Sequence, residues 1–260
     1  NDQKNSEALK QLKEDLIADV LTSQEAAPMT ESVFEGATVT MSRLLATAPN
    51  SVKAETRDKI LEMYASTLVD RGGEESDLNL SESSIKNSVS SVSSLLSALN
   101  EDTKATEPSE AEKSNTAAKS DKMMGVLDAL ANASASKSVP GEAPRRISVP
   151  GIDISTKTTT PSSLANSTVT IGDPSDNKNS QMSFKLPATG LGSIPNSSSK
   201  DPAPINLIAY KFDTNPYSNI ANTTFDVPVI SLRLVQNSRE LKVTGLSEPI
   251  TFNYELDNPE

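Results

Sequence analysis

The first 130 residues place apolar side chains at three- and four-residue spacing, the period of packed helices. Behind Ser6 and Glu7, the residues Leu9, Leu12, Leu16, Ile17, Val20 and Leu21 form one stripe, which predicts a helix of about five turns capped by Ser6. A second is expected from Thr30, after Pro28, burying Val33, Phe34, Ala37, Met41, Leu44 and Leu45 and ending at Ala48-Pro49-Asn50. Ser51 is placed to cap a third, with Val52, Ile60, Leu61, Tyr64 and Leu68 inward and Gly72-Gly73 as its stop. From Ser81 to Asn100 the stripe continues through Ile85, Val89, Val92, Leu95, Leu96 and Leu99. The many serines of this segment lower its intrinsic helicity, so it requires tertiary support. The charged, Ser- and Thr-rich stretch 101–119 is expected to be a mobile loop, and Met123, Met124, Val126, Leu127 and Leu130 predict a fifth helix after it.

Beyond Pro144 the period changes to two. Ile147 with Val149, Ile152 with Ile154, Val169 with Ile171, Met182 with Phe184 and Leu186, and the run 207–212 alternate between Pro, Gly, Asn and Ser clusters, as half-buried strands do. The runs 229–235, 241–243 and 250–256 are spaced like successive antiparallel strands with short turns. An α+β chain follows, with a helical bundle over 1–138 and an antiparallel β-sandwich over 139–260 that is incomplete at its C-terminal end. Within the last runs, Val229, Leu232 and Leu234 on one strand and Ile250, Phe252 and Tyr254 on another are expected to face a shared core. Val229 and Leu232 differ in parity, which calls for a bulge or twist between them.

Composition narrows the chemistry. With no Trp, five Phe and four Tyr, the cores must be built from Leu, Ile, Val, Met and Ala. A net charge of −11 without any basic run longer than Arg145-Arg146 opposes phosphate-backbone binding, so nucleic acid is not an expected partner. Absence of Cys and His removes disulfides, thiolate metal sites, the usual general base and the commonest metal ligand. No apolar run approaches the ~18 residues of a membrane span, and the first residues lack the core of a signal peptide, so the chain reads as a piece of a longer protein.

Several helices and then a sandwich containing Val227-Pro228-Val229-Ile230-Ser231-Leu232 and Leu246-Ser247-Glu248-Pro249-Ile250-Thr251-Phe252 resemble a GAIN domain, the juxtamembrane module of adhesion receptors and receptor-like polycystins. The phrases Ile205-Asn206-Leu207-Ile208-Ala209-Tyr210 and Asn215-Pro216-Tyr217 look more like the polycystin branch and its sperm-receptor relatives. The resemblance covers most of the chain through short motifs. It implies a helical subdomain, a sandwich subdomain, and an extracellular position at a plasma, ciliary or flagellar membrane. It also implies, as partners, a final C-terminal strand and membrane domain of the parent, and a channel subunit or extracellular ligand. The family's closing proteolysis motif, with paired cysteines and a His-Leu-Ser/Thr triplet, has no counterpart here, so no catalytic residue and no cofactor is expected.

Five Asn-x-Ser/Thr sequons, Asn79, Asn132, Asn166, Asn196 and Asn222, could each carry an N-glycan in an exported chain, and four lie in or beside Ser/Asn-rich loops. A chain this rich in Asn, Ser and Thr also produces sequons by chance. The acidic clusters 74–77 and 173–176 offer oxygen ligands but lack the spacing of a calcium loop, and solvated loops are the simpler reading. Gly190-Leu191-Gly192 lacks the third glycine and the following helix of a phosphate loop and is read as a turn. Met123-Met124 is read as packing. The functional expectation is a module that transmits ligand binding or tension to a membrane domain. Its alternatives are an adhesion-receptor ectodomain, a filament or cell-surface assembly subunit, and, last, a carboxylate-based hydrolase for which no residue pair is singled out.

Overall fold

In the computed structural model, residues 2–26, 29–69, 78–104, 109–172, 182–188, 203–217, 228–244, 246 and 248–254 are described. Among them five helices precede two antiparallel sheets, an α+β fold. The chain divides into two compact units, one of Asn1–Leu130 with Thr214–Val227, the other of Ala131–Asp213 with Pro228–Glu260.

Helix α1 (Asp2–Ala26) begins before Ser6, which therefore lies inside it and does not cap it. Its packed face also differs from the expected leucine stripe. Ile17 is fully buried and Lys13 and Gln24 nearly so, whereas Leu9, Leu12 and Leu16 are exposed. The cause is polar. Lys13 Nζ donates to the carbonyl and hydroxyl of Thr47 and to Ser51 Oγ, and Glu14 accepts the Lys53 N–H at 2.5 Å and the Thr56 hydroxyl. Turning the leucines inward would withdraw both side chains from backbone groups that helix ends leave unpaired.

Helix α2 (Glu31–Ala46) starts where expected: Thr30 Oγ1 accepts the Val33 N–H, and Phe34, Ala37, Met41 and Leu45 are buried. Ser51 belongs to a 3-10 turn, Pro49–Ser51, and its hydroxyl donates to the Ala48 carbonyl, so it does not cap α3 (Ala54–Leu68), whose N-cap is Lys53; Glu14 of α1 accepts the N–H of that residue. Its expected stop, Gly72-Gly73, lies outside the described residues. In α4 (Glu82–Lys104) all six expected core residues are buried. Two of its inward serines are satisfied within the helix, Ser88 Oγ on the Ser84 carbonyl at 2.8 Å and Ser91 Oγ on the Asn87 carbonyl at 3.0 Å.

The stretch 101–119 is not a loop where it is described. Helix α4 continues through Lys104, and α5 (Glu110–Ala135) already runs from Glu110. The reason is a capping box. Ser109 Oγ accepts the Glu112 N–H at 3.3 Å while the Glu112 carboxylate accepts the Ser109 N–H at 2.7 Å. Composition points to a loop here; the Ser-x-x-Glu spacing at Ser109 points to a helix start, and the spacing wins.

The second unit carries the sheets. The larger has the order β1 (Arg145–Val149), β2 (Ile152–Thr159), β5 (Ile205–Phe212), β6 (Val229–Gln236) and β7 (Arg239–Glu240), and the smaller has β3 (Thr168–Ile171), β4 (Met182–Lys185) and β8 (Thr251–Tyr254). Local turns fix the registers. Pro150-Gly151, with Gly151 at φ 82°, makes the tight β1–β2 turn that pairs Val149 with Ile152. Asn237 and Ser238, at φ 51° and 59°, make the type I′ turn that pairs Gln236 with Arg239. Between the sheets lie Leu164, Val169, Ile171, Met182, Phe184, Leu186, Ile205, Leu207, Ala209 and Leu234. The opposite face of the larger sheet buries Ile154, Ile208, Tyr210 and Phe212, with Thr158 Oγ1 donating to the Ala135 carbonyl at the end of α5.

Candidate functional site

The C-terminal strands do not follow one another in a single sheet. Strand β6 pairs with β5 at every residue from Val229 to Val235, so no bulge occurs, and the core-facing set is Ile230, Leu232 and Leu234. Val229, of opposite parity, is half-buried on the other face, where Arg233 lies 6.0 Å from the centre of the Tyr210 ring. The run 241–243 is not a strand. Pairing beyond the Asn237-Ser238 turn ends with the two residues of β7 and one further bond, Leu241 N–H to the Leu234 carbonyl at 2.7 Å. Strand β8 lies in the other sheet, with Phe252 opposite Phe184 and Tyr254 opposite Met182.

Among the described residues this topology leaves one end of the sandwich open. Strand β8 is the edge of its sheet and β7 the edge of the other. Between them is a cleft of ≈ 470 Å³ with apolar walls that include Phe184, Leu232, Leu234, Leu241, Ile250 and Phe252, and with Glu240 and Lys242 as its charged members. Of the six residues expected to share a core, Leu232, Leu234, Ile250 and Phe252 therefore do converge, although from different sheets. Val229 and Tyr254 are not in the cleft walls. Leu234 is 3% exposed, while Phe252 and Tyr254 are 39% and 41% exposed, so the expectation that Phe252 is a core residue is corrected: it is half-covered at the rim of the cleft. It meets Phe184 at 5.1 Å between ring centres, and Tyr254 stacks on it at 6.5 Å. Phe184 is legible in sequence as a strand residue, whereas Leu241 lies just past β7 and not in the strand expected for it; neither is legible as a site residue, because nothing local shows that β4 and the end of β7 converge.

The cleft is lined mainly by apolar side chains. A small-molecule site sets convergent polar groups in an apolar pocket of about 300–1,000 Å³. Here the charged members are one acid and one base at the margin of apolar walls, and among the described residues no group of three or more Asp or Glu could hold a metal. The acidic clusters 74–77 and 173–176 and the turn at Gly190 lie outside the described residues.

No protein-family model matches the chain, and no curated protein matches it in sequence. Its fold resembles part of the extracellular region of zebrafish Gpr126/Adgrg6. The likeness has a TM-score of 0.50 at 12% identity and covers 79% of this chain and 26% of that one, so the chain spans about a quarter of that ectodomain. The shared feature is the fold, helices followed by antiparallel sheets.

The sequons divide by environment. Asn79 is exposed, and Asn166 is exposed at φ 60° in the turn before β3, its N–H donating to the Pro187 carbonyl at 3.2 Å. Asn132 is not in a loop: it is half-buried within α5, with Oδ1 enclosed and unbonded. Helical periodicity simply extends past Leu130 to Ala135. Asn196 and Asn222 lie outside the described residues. Among the described residues no helix is long and apolar enough to cross a membrane.

Proposed function

We propose that this chain is an extracellular module of a membrane receptor, whose sandwich is completed by a further strand of the parent chain lying in the cleft between β7 and β8. The observation that carries the reading is the open end itself. Apolar surface in contact with water costs about 25 cal/mol per Å², and large side chains from both sheets and from the segments beside β7 and β8 line one cleft that no described residue fills. Two sheet edges flank the opening, so an entering strand would find unpaired backbone groups as well as apolar walls. Release or movement of that strand is the event by which ligand binding or tension on the module reaches the membrane domain, a binding and mechanical role without catalysis.

The parent is a polycystin-like receptor or channel subunit on the strength of the Ile205–Tyr210 and Asn215–Tyr217 phrases. An adhesion-receptor parent is the second reading, and the likeness to the Gpr126/Adgrg6 extracellular region favours it. Cell-surface labelling and glycosidase treatment of the parent expressed in secretory cells test what both share. A surface pool whose mass falls on glycosidase treatment, with the loss reduced by Asn79→Gln or Asn166→Gln, is the expected result. A parent confined to the cytosol, with unchanged mass, would overturn both.

A further inference from the structure

We propose that Asn215-Pro216-Tyr217 is a clasp that fastens the β5–β6 connection to α5, so that disturbance of the larger sheet is passed to the helical unit through two side chains, Ser120 and Tyr217. Phe212 and Val229 face each other at the end of the β5–β6 ladder, where a short turn would suffice to join the strands. The chain instead leaves the sheet after Phe212, and Thr214–Val227 belongs to the helical unit. A longer connection costs closure entropy, which the contacts at α5 must offset.

Those contacts form a built seat. Asn215 Oδ1 accepts the Tyr217 N–H at 2.9 Å, an Asx turn that shapes the segment locally. Pro216 is buried, and its carbonyl accepts the hydroxyl of the fully buried Ser120 at 2.8 Å. The Tyr217 phenol donates to the Asp121 carboxylate at 2.9 Å. Adjacent residues on α5 thus hold adjacent residues of the connection, and removal of the Ser120 hydroxyl would leave a buried carbonyl without its donor. The clasp is a property of this chain and stands whether or not the parent is a receptor.

Amide exchange of the whole chain tests it through a perturbation made elsewhere. Leu234→Ala removes a buried side chain of β6, loosening the β5–β6 ladder. With the clasp intact, this is expected to speed exchange of the α5 amides over 116–125 about tenfold; in a Ser120→Ala/Tyr217→Phe background the same substitution is expected to leave them unchanged. An equal response in both backgrounds, or none in either, overturns the proposal. Should Ser120→Ala prevent folding, Tyr217→Phe alone, which removes one phenol hydrogen bond and keeps the ring, is expected to cut the response about threefold. An undiminished response there overturns it equally.

Discussion

Around Phe34 and Tyr64 the described residues enclose both rings; around Phe184 and Phe252 they leave one side uncovered. The first pair meets edge to face at 6.1 Å with both rings fully buried. The second meets at 5.1 Å, but Phe252 remains 39% exposed beside the open cleft. Both cores are drawn from the same aliphatic stock with few aromatics, so composition does not account for the contrast. Topology does: the helices close on one another, whereas β7 and β8 end their sheets at the same place with nothing described between them. The largest expected effect tests this directly. Phe34→Ala should cost about 3–5 kcal/mol, the usual range for emptying an enclosed aromatic site, read as a shift in the midpoint of chemical denaturation. A loss below about 1 kcal/mol would show that the helical core is not closed.

Tyr64 sharpens the same contrast through pH. Its burial pushes the phenol up to about 12 from an ordinary 10.0, an effect partly countered by neighbouring Ser88 and Ser91. The phenol oxygen has no hydrogen bond of normal geometry, and both serine hydroxyls donate into their own helix, so burial dominates. Since the folded value is raised, the contribution is complete below pH 10 and is lost as the pH rises through 12. About 3 kcal/mol should disappear over that window, because each pH unit between the unfolded and folded values is worth about 1.36 kcal/mol. Tyr64→Phe should flatten that part of the pH dependence; an unchanged alkaline profile in the variant would exclude Tyr64 as its source.

The open core predicts a smaller number. Phe252→Ala should cost about 1 kcal/mol in this chain, because the side chain is only partly covered and its removal leaves no sealed cavity. Where a strand of a longer parent occupies the cleft, as proposed, the same substitution should cost roughly the 3–5 kcal/mol of an enclosed aromatic. Equal small losses in both would remove the case for an occupant. The sequence does not reveal this difference. Alternation along 250–254 assigns Phe252 and Tyr254 to the inward side of β8, in agreement with their partners Phe184 and Met182, which are both buried. Alternation, however, reports which side a residue is on and not whether anything covers it. The α+β order and most helix cores are legible for the opposite reason: in α2 and α4 the local period coincides with the packed face. In α1 it does not, because Lys13 and Glu14 turn the helix toward Thr47 and Lys53, partners more than thirty residues away in sequence. The inward set on β6 differs by one residue from the sequence expectation, Ile230 in place of Val229, since only pairing with β5 across a long connection settles the register.

The smallest expected effect separates cap from composition at the start of α5. Glu112 is held below its ordinary 4.5 first by the Ser109 hydroxyl and then by the Ser109 N–H, both donating to its ionised carboxylate. A folded value below the unfolded one means that the contribution is complete above pH 4.5 and fades as the pH falls through the lower, folded value. The first turn of α5 should therefore fray in acid while the helix from Met123 onward, anchored by buried Val126, Leu127 and Leu130, stays formed. Amide exchange at 109–113 in mild acid against neutral pH reads this. Glu112→Gln supplies the control, because a glutamine can fill the same place in a capping box without titrating, so its first turn should exchange at one rate relative to α5 across the range. Acid fraying of equal size in the glutamine variant would mean that the carboxylate is not what starts the helix, and that the charged, serine-rich stretch before Lys119 is helical for some reason other than its cap.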